Sequence, residues 1–212
     1  MKKLAAIALT ACVLISCEKA SELKQAADNV ESFTKAASNM EGNMAAAEQR
    51  REERRKRGDT LAIPYQELQK YLPQNISGYA AQEPEGTTMN SDMGSYSAAS
   101  RRYTKAGADG YEEYVEVSIV DYNATAEMFT GLTSMWGANF SMEDANGYTK
   151  SFDPGFKDGI GWEHYDKNNK NSELSYGLGD RFIVTIKSSN QPDNELAKNI
   201  GKSMKLDELA GR

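Results

Sequence analysis

His164 is the only histidine in the chain, so a Ser-His-Asp relay would have to run through it. It stands in the strand-like run Trp162-Glu163-His164-Tyr165-Asp166, and no Gly-x-Ser-x-Gly elbow offers a serine. Ser21-Glu22-Leu23-Lys24 and Ser32-Phe33-Thr34-Lys35 match Ser-x-x-Lys, without the companion motifs of the penicillin-binding enzymes. Gly201-Lys202-Ser203 has Leu196 where a phosphate loop needs its first glycine. Asp166-Lys167-Asn168-Asn169-Lys170-Asn171-Ser172 carries calcium-loop residues at positions 1 and 3, then Lys170 at 5, Asn171 at 6 and Gly177 at 12. It reads as a polar hairpin turn. The acid pairs Glu112/Glu113 and Glu143/Asp144 are adjacent, so on strands they point to opposite faces. These patterns predict no catalytic, cofactor-binding or metal-binding residue, and a chain that is not an enzyme.

The remaining reactive type is cysteine. Lys2 and Lys3 precede the apolar run 4–15, LAAIALTACVLI, which is shorter than the ~20 residues that span a bilayer. The run closes on Leu14-Ile15-Ser16-Cys17. This resembles the lipobox of bacterial lipoproteins. The resemblance implies cleavage between Ser16 and Cys17, a signal peptide over 1–16, and a thioether from Cys17 to diacylglycerol. Cys12 would leave with the signal, and acylated Cys17 would leave no thiol for a disulfide or a metal. Several acyl chains on one residue anchor stably, at ~0.8 kcal/mol per buried CH₂. Residue 18 is Glu; an inner-membrane retention signal of such lipoproteins often has Asp there, so the outer membrane is favoured.

Two unlike regions must carry such an anchor. Residues 17–60 hold 9 positive and 9 negative groups and one aromatic, Phe33. Residues 61–212 hold 14 and 22, with every Tyr and Trp. The break predicts a lipidated helical stalk over 17–60 and a globular domain over 61–212. Leu23, Ala26, Val30, Phe33, Ala37, Met40, Met44 and Ala47 alternate spacings of 3 and 4, a heptad seam on a long helix. The seam fits packing on its own domain, self-association as a coiled coil, or a solvated spacer. Gly42-Asn43 marks a kink or a short hairpin turn. The stalk ends in Arg50-Arg51-Glu52-Glu53-Arg54-Arg55-Lys56-Arg57, where Glu52 and Glu53 can pair with Lys56 and Arg57 at i+4. This reads as a solvated, salt-bridged face.

The second region alternates as half-buried strands do. Val115, Val117 and Ile119 share one face; Leu174, Tyr176 and Leu178 repeat the pattern, as do Phe182, Val184 and Ile186. Strands are predicted over 77–82, 95–105, 111–122, 147–152, 160–166, 172–178 and 181–188. Helices are predicted over 65–72, from about 125 to 136 with Met128, Leu132 and Met135 on the apolar stripe, and over 193–204. Runs of strands between single helices predict an α+β fold: an N-terminal long helix, then an antiparallel sheet with packed helices. The order is similar to PsbP-like α/β/α sandwich domains, a pattern-level likeness over 61–212. Eight tyrosines on or beside strands fill a small core or form a binding face.

Only 34 of 212 residues are Leu, Ile, Val or Phe, which argues against a large enzyme core and a polytopic membrane protein. The expectation is a lipid-anchored envelope protein, noncatalytic, that binds or scaffolds. Its partners would be the membrane through its anchor, and an envelope protein or a second copy through the helix. The alternative is a carrier of a small or lipidic ligand. No nucleotide fingerprint is present, and an exported chain meets little nucleic acid.

Overall fold

The computed structural model describes residues 42, 44–91, 94–107 and 110–212. Leu14, Ile15, Ser16, Cys17 and the seam from Leu23 to Met40 lie outside the described residues. Of the seam, Met44 and Ala47 are described, in a helix, α1, over 44–56.

Among the described residues nine strands form one antiparallel sheet: β1 (Ala80–Ala81), β2 (Glu85–Ser91), β3 (Gly94–Ala106), β4 (Glu112–Asp121), β5 (Ser141–Glu143), β6 (Gly147–Phe152), β7 (Gly159–Asp166), β8 (Asn171–Leu178) and β9 (Phe182–Ser188). Their order is β1-β3-β4-β9-β8-β7-β6-β5, with β2 also on β3. The helices are α2 (Tyr65–Gln69), α3 (Ala126–Thr133), α4 (Glu195–Ser203) and α5 (Leu206–Ala210). A mixed fold of helices on an antiparallel sheet is thus present, as the alternation demanded.

The register explains the core. Val117 sits opposite Ile186, and Ile186 opposite Leu174. One sheet face therefore carries Val115, Val117, Ile119, Leu174, Leu178, Phe182, Val184 and Ile186, all buried. Leu68, Leu72, Ala197, Ile200, Leu206 and Leu209 from the segments of α2, α4 and α5 cover it. Gly201 allows this approach, since a Cβ there would stand 2.1 Å from the Tyr176 hydroxyl. The opposite face has a small core of Tyr122, Phe129 and Ile183 under α3. The rest of that face is polar. Ser100, Ser118, Thr185, Ser175 and Trp162 run side by side across five strands. Beside them run Arg102, Glu116, Lys187, Glu173, His164 and Thr149, in cross-strand register.

Three expectations change. Strand β2 was not anticipated: its residues are exposed but for half-buried Thr88, so no apolar alternation announced it. The 77–82 strand shrinks to Ala80–Ala81. In α3 the apolar stripe faces outward: Met128, Leu132 and Met135 are 56%, 51% and 54% exposed, while Ala126, Phe129 and Thr133 are buried. The aromatic ring of Phe129 and the small flanking residues fit against Gly177 and Ile183, where the longer stripe would overfill the gap.

Candidate functional site

The basic run at the end of α1 docks. Arg54 is 4% exposed; its Nε donates to Asn123 Oδ1 at 2.9 Å and its Nη1 to the Gly179 carbonyl at 3.3 Å. Arg51 Nη2 donates to Thr130 Oγ1 at 2.8 Å. Arg50 bridges Asp180 at 2.5 Å and Asp158 at 3.1 Å. Asp158 and Asp180 both adopt positive φ, the turn geometry that asparagine-like side chains tolerate. Only the outer flank keeps the expected solvated pairing, with Lys56 3.9 Å from Glu52 and Arg55 3.5 Å from Glu48 and Glu52.

The chain after α1 is clipped to the sheet. Arg181 and Asp121, at 2% and 0% exposure, form a two-pronged pair, Nε to Oδ1 and Nη2 to Oδ2, both 2.9 Å. Arg181 Nη1 also donates to Asp59 at 2.8 Å. The Ile63 amide donates to Asp121 and the Ala62 amide to Ser95. Burial, with Arg181 nearby, pulls Arg54 down from the ordinary guanidinium range, against the opposing pull of Asp180 and Asp59. A buried guanidinium is costly unless its donors find acceptors; the network pairs Arg181 with Asp121 and Asp59, while Arg54 Nη2 stays buried without a hydrogen-bond partner among the described residues.

Between α1 and α3 lies a cleft of about 630 Å³. Met44, Ala47, Phe129 and Ile160 give it apolar walls. Most of its charged border is internally paired, Arg50 with Asp158 and Asp180, Arg51 with Glu48, and Glu127 lines it as well. A cleft of this size and lining has the character of a site for apolar groups.

The residues singled out by chemistry lie elsewhere. His164 is exposed on the polar sheet face, its Nδ1 2.7 Å from Thr149 Oγ1. It borders a second hollow of about 190 Å³ with Met142, Tyr148 and Asp166. The Asp166 carboxylate accepts the Asn168 and Asn169 amides, and the Asn169 bonds hold its pKa below the usual range. The 166–171 segment is therefore the β7–β8 turn. Among the described residues no three His, Cys, Asp or Glu side chains are placed to share a metal. Gly201-Lys202-Ser203 closes α4, so it opens no helix toward a phosphate.

Four of the eleven tyrosines serve the interior. Tyr103, Tyr122, Tyr165 and Tyr176 are buried; Tyr103 donates to the Pro73 carbonyl and Tyr165 to that of Gln191. Burial pushes the Tyr103 and Tyr176 hydroxyls up to about 12. A half-buried aromatic group, Trp136, Trp162 and Phe140, stacks at the cleft end of the polar face, with centroids 6.4 and 5.5 Å apart.

The docking arginines escaped the sequence reading because their partners are remote, 69 residues away for Asn123 and 130 for Asp180. One signal was available: Arg51 and Arg54 continue the 3-and-4 spacing of Met44 and Ala47.

Comparison with protein-family models, with curated proteins and with solved structures finds no match for this chain.

Proposed function

We propose that this chain is a lipid-anchored protein of the bacterial envelope, tethered through Cys17, whose globular part binds or scaffolds without catalysis. The lipobox Leu14-Ile15-Ser16-Cys17, behind a basic start and an apolar run of lipoprotein length, carries this reading. A long N-terminal helix forms the spacer between anchor and domain. The docking of Arg50, Arg51 and Arg54 supports a spacer held at a fixed angle. Glu at position 18 favours the outer membrane. The likeness to PsbP-like sandwich domains rests on the order of helices and strands over 61–212 alone.

In cells, Cys17→Ser should release the protein from membranes and abolish acyl labelling. A variant that stays membrane-bound and labelled contradicts the tether. His164→Ala, folded and exported, should leave the phenotype of the wild-type strain unchanged; loss of function there would reopen an enzymatic role.

One observation favours a carrier as the second reading. The α1–α3 cleft has the size and apolar walls of a small-ligand site.

A further inference from the structure

Charge, more than shape, distinguishes the α1–α3 cleft. Its two cations are already engaged. Arg50 turns Nε to Asp180 and Nη1 to Asp158. Arg51 turns Nη1 to Glu48 and Nη2 to Thr130 and the Ala126 carbonyl, and its Nε is buried. A bound carboxylate or phosphate needs a guanidinium fork aimed at it, and these forks are aimed at the protein. Behind them, Arg54 and Arg181 are balanced by Asp59 and Asp121. Carboxylates outnumber cations along the lining: Glu48, Glu127, Asp158 and Asp180 against Arg50 and Arg51. Asp158 and Asp180 share one guanidinium. Arg55, beyond the lining, reaches Glu48 at 3.5 Å but also serves Glu52. Glu127 is left over. It is exposed in the first turn of α3, and among the described residues it has no cation within ion-pair distance.

We infer, building on the carrier reading, that the cleft takes a small apolar molecule bearing one protonated amine, its body between α1 and α3 and its ammonium beside Glu127. The apolar body meets Met44, Ala47, Phe129 and Ile160. The wall opposite α1 has room for it, since a Cβ at Gly131 or Gly137 would meet nothing within 4 Å. The ammonium stays at the lip, where it keeps part of its hydration and gains the attraction of an unpaired carboxylate. A contact this exposed adds little affinity, but it selects by sign. An anion of the same shape would meet Glu127 and the aspartates that share Arg50. The wider field acts the same way, because residues 61–212 carry 22 negative groups against 14 positive.

The test uses the purified full chain in nanodiscs of zwitterionic lipid, with the signal of protein-free nanodiscs subtracted. Three dansyl probes share one alkyl arm that ends in an ammonium, a methyl or a carboxylate group, and dansyl fluorescence reports binding. The ammonium probe should bind roughly threefold to tenfold more tightly than the carboxylate probe, with the methyl probe between them. Added salt should shrink that ratio. Glu127→Gln should bring it close to one while the methyl probe binds as before. Gly131→Phe, with an unchanged circular dichroism spectrum, should weaken all three by filling the cleft. Equal binding of the three probes, tighter binding of the carboxylate probe, or a preference that survives Glu127→Gln would overturn the inference and leave the carrier reading standing. No binding of any probe, or binding untouched by Gly131→Phe, would overturn both.

Discussion

At the scale of single residues the stability of the molecule depends on a few buried charges. Asp121 is fully enclosed, and Arg181 supplies its counter-charge through two hydrogen bonds. Arg181→Ala should cost about 3–5 kcal/mol, because it strands a buried carboxylate. Denaturant titration reads this as a lower midpoint at unchanged slope; a loss below about 1 kcal/mol would mean that the pair is not closed in solution. Glu163 is the other case. Burial pushes its pKa up, but Lys150 at 2.9 Å, Asn194 at 3.3 Å and Lys198 at 3.3 Å outweigh this and hold it below 4.5. A carboxylate depressed by folding stabilises above its unfolded pKa and loses that stability as pH falls through the folded value. Acid destabilisation should therefore set in below about pH 4.5 and be shallower in Glu163→Gln. Equal acid slopes for the two proteins would remove Glu163 from the account.

Among the elements, α3 separates pattern from environment. Period alone places Met128, Leu132 and Met135 on one stripe; all three are more than half exposed, Met135 just past the end of α3. Which stripe meets the sheet depends on the space above Gly177 and Ile183, and that space takes Phe129. Leu132→Gln should thus shift stability by no more than about 0.5 kcal/mol, as exposed substitutions do. A thermal-melting loss typical of a core position, about 2–5 kcal/mol, would restore the inward stripe. The central strands were legible for the opposite reason: β4 buries one face under helices, so Val115-Val117-Ile119 alternates cleanly, and in β9 Phe182, Val184 and Ile186 hold the same face although Ile183 is buried on the other. Edge strand β2 buries almost nothing and left no trace in Glu85-Gly86-Thr87-Thr88. Of the candidate site, apolar Met44 and Ala47 were visible as seam residues. The role of Arg50, Arg51 and Arg54 was not, because a guanidinium reads the same in water as against a distant aspartate.

For the whole molecule, the composition break near residue 60 suggests a domain that begins at 61, while the contacts extend further back. Asp59 meets Arg181 and Asn123, and Arg54 meets Asn123 and Gly179. A chain of residues 61–212 should still unfold cooperatively, since the covered sheet face keeps α2, α4 and α5. It should melt at a lower temperature than 18–212, having lost the acceptor Asp59 and the arginine clasp. Equal melting temperatures would make the clasp dispensable, and a broad transition would make α1 part of the core. The central claim is that this domain is held at a membrane by lipid on Cys17. The most direct test is mass spectrometry of the N-terminal peptide of the protein purified from its own envelope. The account predicts a peptide that begins at Cys17 and carries diacylglyceryl and acyl groups, with residues 1–16 absent. A peptide that retains Ser16, or an unmodified Cys17 in membrane-bound protein, would contradict it.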